Sequence, residues 1–381
     1  MSNIYLDHAS TTPVDKKVLK KMTPFFHKKY GNPSSIHSFG QEARVAIDES
    51  REKVADFLNC DPKEVIFTGS ATEANNIFIQ GIIDAVDNPH VITSAIEHDA
   101  VLETVEESGG EYTVLDVDED GFVKLEDLKE AINENTVLVT VMYANNEIGT
   151  IQPIREIAEL IKEKNKDRGR RIYFHSDAAQ AAGYLNCDVK KLNVDGLTLS
   201  GHKIYGPKGV GVLYKKRDVN VEPITYGGGQ EDGLRSGTYN TPLIVGMAEA
   251  VELLRDNKKK ETEEIRDYLI KKVLQDVEGA SLNGPKENRL SNNANFSFEG
   301  AEGESIVMIL DQEGIATSTG SACSSKTLEA SHVLKAIGLE DLKAHSSLRV
   351  SVGRSTTKKD IDKFVEVLKK TIKRLRNISG R

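Results

Sequence analysis

The sequence predicts an α/β protein, with a large domain on a mainly parallel mixed sheet flanked by helices and a smaller α+β domain after it. Three observations predict it. From about residue 40 to 215, short β-branched runs alternate with helical patterns. A long helical pattern with a very charged middle follows, and strand and helix patterns then resume to the end of the chain.

Taken in order, Glu64–Phe67 reads as a strand, Thr72–Ala85 as a helix and His90–Thr93 as a strand. Glu111–Leu115 is a further strand, closed by the turn at Asp120-Gly121, and Thr136–Tyr143 is a long apolar β run. A helix begins near Pro153, and Arg171–Ser176, Gly196–Leu199 and Val210–Tyr214 complete the series. Such alternation favours strands joined by crossover helices, with ligands bound at the carboxyl ends of the strands. The helical pattern from Leu243 to Val277, charged over Asp256–Arg266, suits a helix that leaves one domain and enters another. Beyond it come strand Asn295–Phe298, helix Glu304–Gln312, strand Gly314–Thr317, helix Leu328–Ile337, strand Ser347–Val352 and helix Lys358–Leu375. The expected division is a segment 1–15 packing on the small domain, a large domain 16–255 and a small domain 256–381.

A chain of 381 residues can bury a substantial core. Its net charge of −9 argues against general binding to nucleic acid or a membrane surface, both of which would repel it. Met1 to Pro13 lacks a basic region followed by an apolar run, so no signal peptide is expected. The longest apolar stretch, Val137–Met142, is too short to span a bilayer. Cys60, Cys187 and Cys323 form no close pair and no metal-ligand spacing, so no stable metal is expected. Few, scattered thiols suit a reducing compartment, which makes the cytoplasm the expected location.

Three segments carry chemistry. Ser200-Gly201-His202-Lys203 follows directly on a strand, and a lysine there, with hydroxyl and imidazole donors beside it, can form a Schiff base with an aldehyde cofactor. An ordinary surface lysine in a Gly/Pro loop would look the same. Asp177 ends another strand, where a carboxylate can keep a pyridinium nitrogen protonated, or simply cap the residues after it. Gly69-Ser70-Ala71-Thr72 joins a strand to a helix, so that small residues and free N–H groups face an anion such as phosphate. All three lie at strand ends of one predicted sheet.

Further segments resemble a known family. Tyr5-Leu6-Asp7-His8-Ala9-Ser10-Thr11-Thr12-Pro13, Gly31-Asn32-Pro33-Ser34-Ser35, Ala71-Thr72-Glu73, Glu97-His98, Asn145-Asn146-Glu147-Ile148-Gly149, Ser200-Gly201-His202-Lys203 and Arg235-Ser236-Gly237-Thr238 are similar to the cysteine desulfurases of the housekeeping and nitrogen-fixation type. The resemblance runs from residue 4 to about 377. It implies a pyridoxal 5'-phosphate enzyme of fold type I in the class V aminotransferase superfamily, acting as a homodimer on L-cysteine. It also implies that Lys203 holds the cofactor, Asp177 pairs with its ring nitrogen, and His98 stacks on the ring and assists proton transfer. Ala71, Thr72, Ser200 and His202 then hold the phosphate, with Thr238 reaching in from the other subunit. Asn146 and Gln180 touch the ring substituents, and Arg349 clamps the substrate carboxylate.

Within the fold superfamily the reaction is decided by Thr319-Gly320-Ser321-Ala322-Cys323-Ser324-Ser325, a stretch of small and polar residues that predicts mobility. Cys323 suits a nucleophile that takes sulfur from the substrate as a persulfide, whereas Cys60 and Cys187 read as structural. The sulfur is then expected to pass to an iron–sulfur scaffold or another acceptor, for cluster assembly or tRNA thiolation, with Cys323 at most a transient cluster ligand. An aminotransferase or lyase of the same fold and a non-catalytic docking protein are the rival readings. Two departures from the family pattern stand out. Ala178-Ala179 follows Asp177 where Thr is common, and the sequence ends at Arg381, short of the tail that contacts the scaffold in relatives.

Overall fold

The computed structural model describes residues 3–255, 259–320 and 330–379. Its strands are β1 (Ile4–Tyr5), β2 (Val65–Thr68), β3 (His90–Ser94), β4 (Glu111–Leu115), β5 (Thr136–Thr140), β6 (Tyr173–Asp177), β7 (Gly196–Ser200), β8 (Gly211–Lys215), β9 (Ala280–Asn283), β10 (Asn293–Phe298), β11 (Ile315–Ala316) and β12 (Ser347–Ser351). The large sheet has seven strands in the order β2-β8-β7-β6-β5-β3-β4. From β7 to β4 the pairs are parallel, whereas β8 runs antiparallel to both β7 and β2. The short connection Gly201–Val210 explains the reversal, because a parallel return would need a full crossover.

Alternation along β6 shows how both faces of the sheet are covered. Phe174 enters the core formed with helices Ser38–Leu58, Ile154–Lys164 and Thr241–Glu252. His175 points the other way and stacks on Phe78 of helix Ala71–Ile83, with ring centroids 5.0 Å apart. Its two nitrogens pair with Thr140 Oγ1 at 2.9 Å and Thr198 Oγ1 at 3.1 Å, and burial pushes it down to about 3, so it is a neutral rung across β5, β6 and β7. Gly196 beside it has room for no side chain, since a Cβ would lie 2.5 Å from the Phe78 ring.

The second sheet, β12-β10-β9, is antiparallel. Phe296 and Phe298 from β10 form a separate core with Leu269, Leu310, Phe364 and Leu368 from three helices. The N-terminal segment connects the two sheets. β1 pairs in parallel with β11, and Leu6 joins the second core. Thr12 N then donates to His202 O (2.9 Å) and Asp15 N to Tyr205 O (2.9 Å), so residues 9 and 10 hang beside the lysine loop.

Three elements differ from expectation. The long helical pattern is divided into Thr241–Glu252 and Lys259–Asp276, because the backbone tightens into turns at Leu254 and Arg255. The apolar run after Thr136 stops as strand at Thr140, where Met142 N turns away to the carboxylate oxygen Oε1 of Glu97 at 2.8 Å. Of the helix expected over 328–337, His332–Ala336 is present with Ser331 as its N-cap, and residues 328 and 329 lie outside those described. Among the described residues no helix is long and apolar enough to cross a membrane, and no group of metal-ligating side chains comes together.

Candidate active site

A cavity of about 520 Å³ opens at the carboxyl ends of β5, β6 and β7. Of the residues singled out above, Ala71, Thr72, His98, Asn146, Asp177, Gln180, Ser200, His202, Lys203 and Arg349 all line it. Thr238 does not, and stands exposed on a separate loop. Cys323 lies outside the described residues, although Gly320, three positions earlier, is in the cavity wall.

Lys203 sits just past β7, its Nζ donating to Ala9 O (2.6 Å) and Ser10 O (2.9 Å) of the N-terminal segment. Gln180 Nε2 donates to the same Ala9 carbonyl (2.8 Å). Asp177 ends β6, with Oδ1 accepting from Ala179 N (2.8 Å) and Oδ2 from Asn75 Nδ2 (2.7 Å). Capping and site placement are thus both fulfilled by one carboxylate. It is nearly buried and forms no ion pair with any described side chain. A buried carboxylate without a cation is costly, so this one is suited to a cationic ligand.

At the start of helix Ala71–Ile83, Ser70 caps by accepting from Glu73 N (3.1 Å). Glu73 in turn accepts from Gly69 N and pairs with Arg235 at 2.9 Å. This fixes the loop, and Ser70, Ala71 and Thr72 at the helix start line the cavity together with Ser200 and His202, where a helix N-terminus favours an anion. His202 is pushed down to about 4 by burial and by the Lys203 and Lys208 charges, with its Nδ1 3.1 Å from Thr11 Oγ1. An anion placed among these groups would reverse that push.

Arg349 on β12 is 2 % exposed. Its NH2 donates to Asp7 Oδ1 (3.0 Å) and Ser10 Oγ (2.6 Å), and its NH1 to Asn146 O (3.1 Å) and Gly320 O (3.3 Å). Its Nε is buried without an acceptor among the described residues. The Asp7 carboxylate thus forms an ion pair with the guanidinium, which also lines the cavity.

Four neighbours carried no role in the sequence reading: Asn75, Glu97, Glu147 and His332. Glu97 is fully buried, its Oε1 accepting from Ser94 Oγ (2.6 Å) and Met142 N (2.8 Å) while Oε2 has no partner among the described residues. Burial, helped by the nearby Asp177 charge and opposed by the hydrogen bonds from Ser94 and Met142, raises its carboxyl to about 8. Glu147 is also raised by burial, and its Oε2 accepts from Ser331 Oγ at 2.6 Å. Cys60 and Cys187 are both pushed up to about 12 by burial, which leaves them poor nucleophiles.

Glu97 gives a stability prediction with a definite sign. Its folded carboxyl holds a proton that the unfolded chain gives up near the ordinary value of 4.5. Its contribution is therefore complete below that value and is lost as pH rises toward 8, by up to about 1.4 kcal/mol per pH unit. Glu97→Gln imitates the protonated form. Its thermal midpoint should nearly match that of the unaltered protein at pH 5 and exceed it at pH 8. Equal differences at both values would show that Glu97 is ionised when folded.

The profile of the family described as Aminotransferase class-V matches residues 4–364. Cysteine desulfurase IscS of Dictyoglomus turgidum is 48% identical over 384 aligned residues, covering 99% of this chain and 96% of that protein. Among solved structures, a NifS-like protein is similar with a TM-score of 0.91 at 36% identity, covering 98% of this chain and 100% of the other. A structure described as SspA in complex with cysteine is similar with a TM-score of 0.81 at 38% identity, over 92% and 99% of the two chains.

Proposed function

The chain belongs to the class-V aminotransferase family and, within it, to the cysteine desulfurases, and from that premise we propose how its residues divide the work. It converts L-cysteine to L-alanine and keeps the sulfur as a persulfide on Cys323 for transfer to an acceptor protein. The observation that carries this reading is the buried carboxylate of Asp177, which forms no ion pair with any described side chain, sharing one cavity with Lys203 and Arg349.

Those residues fit pyridoxal 5'-phosphate. Asp177 suits its protonated ring nitrogen, the helix start at Ala71 and Thr72 with Ser200 and His202 suits its phosphate, and Lys203 suits its aldehyde. Once bound, the cofactor supplies an electron sink that acidifies the substrate Cα and weakens the Cβ–S bond. The chain's own residues do the rest. Arg349, which lines the cavity, orients the substrate carboxylate. Lys203 moves the proton at Cα, and His98, Gln180 and Asn146 hold the ring in place. Cys323 receives the sulfur.

Thr238 completes the phosphate site of a second copy. Exposed Ile36 (95%) and Tyr226 (84%), with Phe26, Tyr30 and Phe39, support a homodimer that covers them. An iron–sulfur scaffold or a tRNA-thiolating protein is the kind of acceptor such an enzyme serves, within the cytoplasm.

The test is one incubation of purified protein with L-cysteine and a reductant. Alanine and sulfide should form in equal amounts, and without reductant the peptide bearing Cys323 should gain the mass of one sulfur. Alanine without sulfide, or no added mass on that peptide, would overturn the reading.

A further inference from the structure

The desulfurase reading leaves a proton to be moved. When the acceptor thiol attacks the substrate sulfur it gives up its proton. An S–S bond forms as the Cβ–S bond breaks, and Cβ takes the electron pair. Cβ must then gain a proton to become the methyl group of alanine. Electrons and protons balance if one group takes the proton from the thiol and returns it to carbon.

Three histidines line the cavity, and their hydrogen bonds give them different capacities. His98 Nδ1 accepts from Ala100 N at 3.0 Å as the cap of helix Asp99–Glu107. Its lone pair is occupied, so the neutral ring can only donate toward the cavity through Nε2. His202 lies at the phosphate end, with Nδ1 against Thr11 Oγ1. His332 is the reverse of His98. Its Nε2 lies 2.9 Å from Glu97 O, and a carbonyl only accepts, so that nitrogen carries the hydrogen. The Nδ1 lone pair of the neutral ring then has no partner among the described residues.

We propose that His332 is the proton carrier of the sulfur-transfer step, fixed in its accepting tautomer by the Glu97 carbonyl. The proposal rests on the desulfurase reading and adds a residue to it. The Glu147 carboxyl, raised chiefly by burial, interacts electrostatically with His332. Glu97, His98, Asp99, Arg349, Lys203 and Asp177 line the same cavity. Ser331, the residue before it, is held by Glu147 at 2.6 Å, which sets where the ring stands.

A merely structural tie between helix His332–Ala336 and the Glu97 loop would require only the donated hydrogen bond. The holoenzyme should therefore be assayed as unaltered protein, as His332→Gln, whose amide can still donate to Glu97 O, and as His332→Ala. Glutamine should lower kcat by about 100-fold, within the range for general acid–base groups, while KM changes by less than about twofold. The acid limb of the pH profile should lose one ionisation. Millimolar imidazole should restore His332→Ala and leave His332→Gln unaffected. Independently of turnover, diethyl pyrocarbonate should modify His332 faster than His98, read by peptide mass. Near-normal kcat in His332→Gln, or no imidazole rescue of His332→Ala, would overturn the proposal. Absence of alanine and sulfide from the unaltered protein would overturn the desulfurase reading instead.

Discussion

Lys203→Ala should lower turnover of L-cysteine by about four orders of magnitude, the upper end of what a positioned acid–base group supplies. The same change should remove the covalent link to the cofactor. Borohydride treatment of the loaded protein should leave the cofactor's mass on the peptide containing Lys203, and on no peptide of the variant. Folding should be little affected. Nζ donates to Ala9 O and Ser10 O, and these carbonyls border an open cavity where water can replace the ammonium. A variant that melts as the unaltered protein does yet cannot be bleached to a covalent adduct separates chemistry from packing. Retention of the adduct elsewhere on the chain would place the Schiff base on another lysine.

The strand ends bearing the site were legible because β-branched runs bounded by turn residues mark strands, and parallel sheets collect ligands at one end. Asp177, Ser200 and Lys203 follow from that logic. The supporting residues do not. Asn75 looks like any polar residue on a helix, and its tie to Asp177 spans 102 positions of sequence. His332 reaches the Glu97 carbonyl across 235 positions, and Ser331 reaches Glu147 across 184. Local pattern carries no information about such pairings, which depend on how the second sheet and the N-terminal segment close over the first. The antiparallel β8 was hidden for a related reason. Only the short return after Lys203 reveals it, and that loop reads first as a motif. Helix Ser38–Leu58 went unread because its mixed, charge-rich sequence lacks a clean apolar stripe, although Ala43, Ile47, Val54 and Leu58 bury one face. Cys323, the residue on which the reaction turns, lies outside the described part of the chain, so its role rests on the sequence and on the sulfur chemistry that tests it.

Asp177→Asn should leave the fold intact and lower turnover by about 10²–10³-fold, as removal of one preorganised electrostatic group does elsewhere. The argument turns on Asn75. In the native site its Nδ2 donates to Asp177 Oδ2, and its Oδ1 is buried without a partner among the described residues. An asparagine at 177 can keep Oδ1 on Ala179 N, and its new amide then faces Asn75. Rotation of the Asn75 amide presents the idle Oδ1 as acceptor, so one unpaired atom is exchanged for another and packing is preserved. What is lost is the negative charge, and with it the group that keeps the cofactor's ring nitrogen protonated. KM for L-cysteine should change far less than kcat, because Arg349 and its partners are untouched. The absorption band of the bound cofactor should shift as well, a change that simple destabilisation would not produce. Combining Asp177→Asn with Asn75→Ala should cost stability without a further proportionate loss of turnover, since Asn75 acts through the carboxylate already removed. Full activity in Asp177→Asn would mean that the electron sink works with an unprotonated ring, and that the buried charge at the end of β6 serves only to cap the turn behind it.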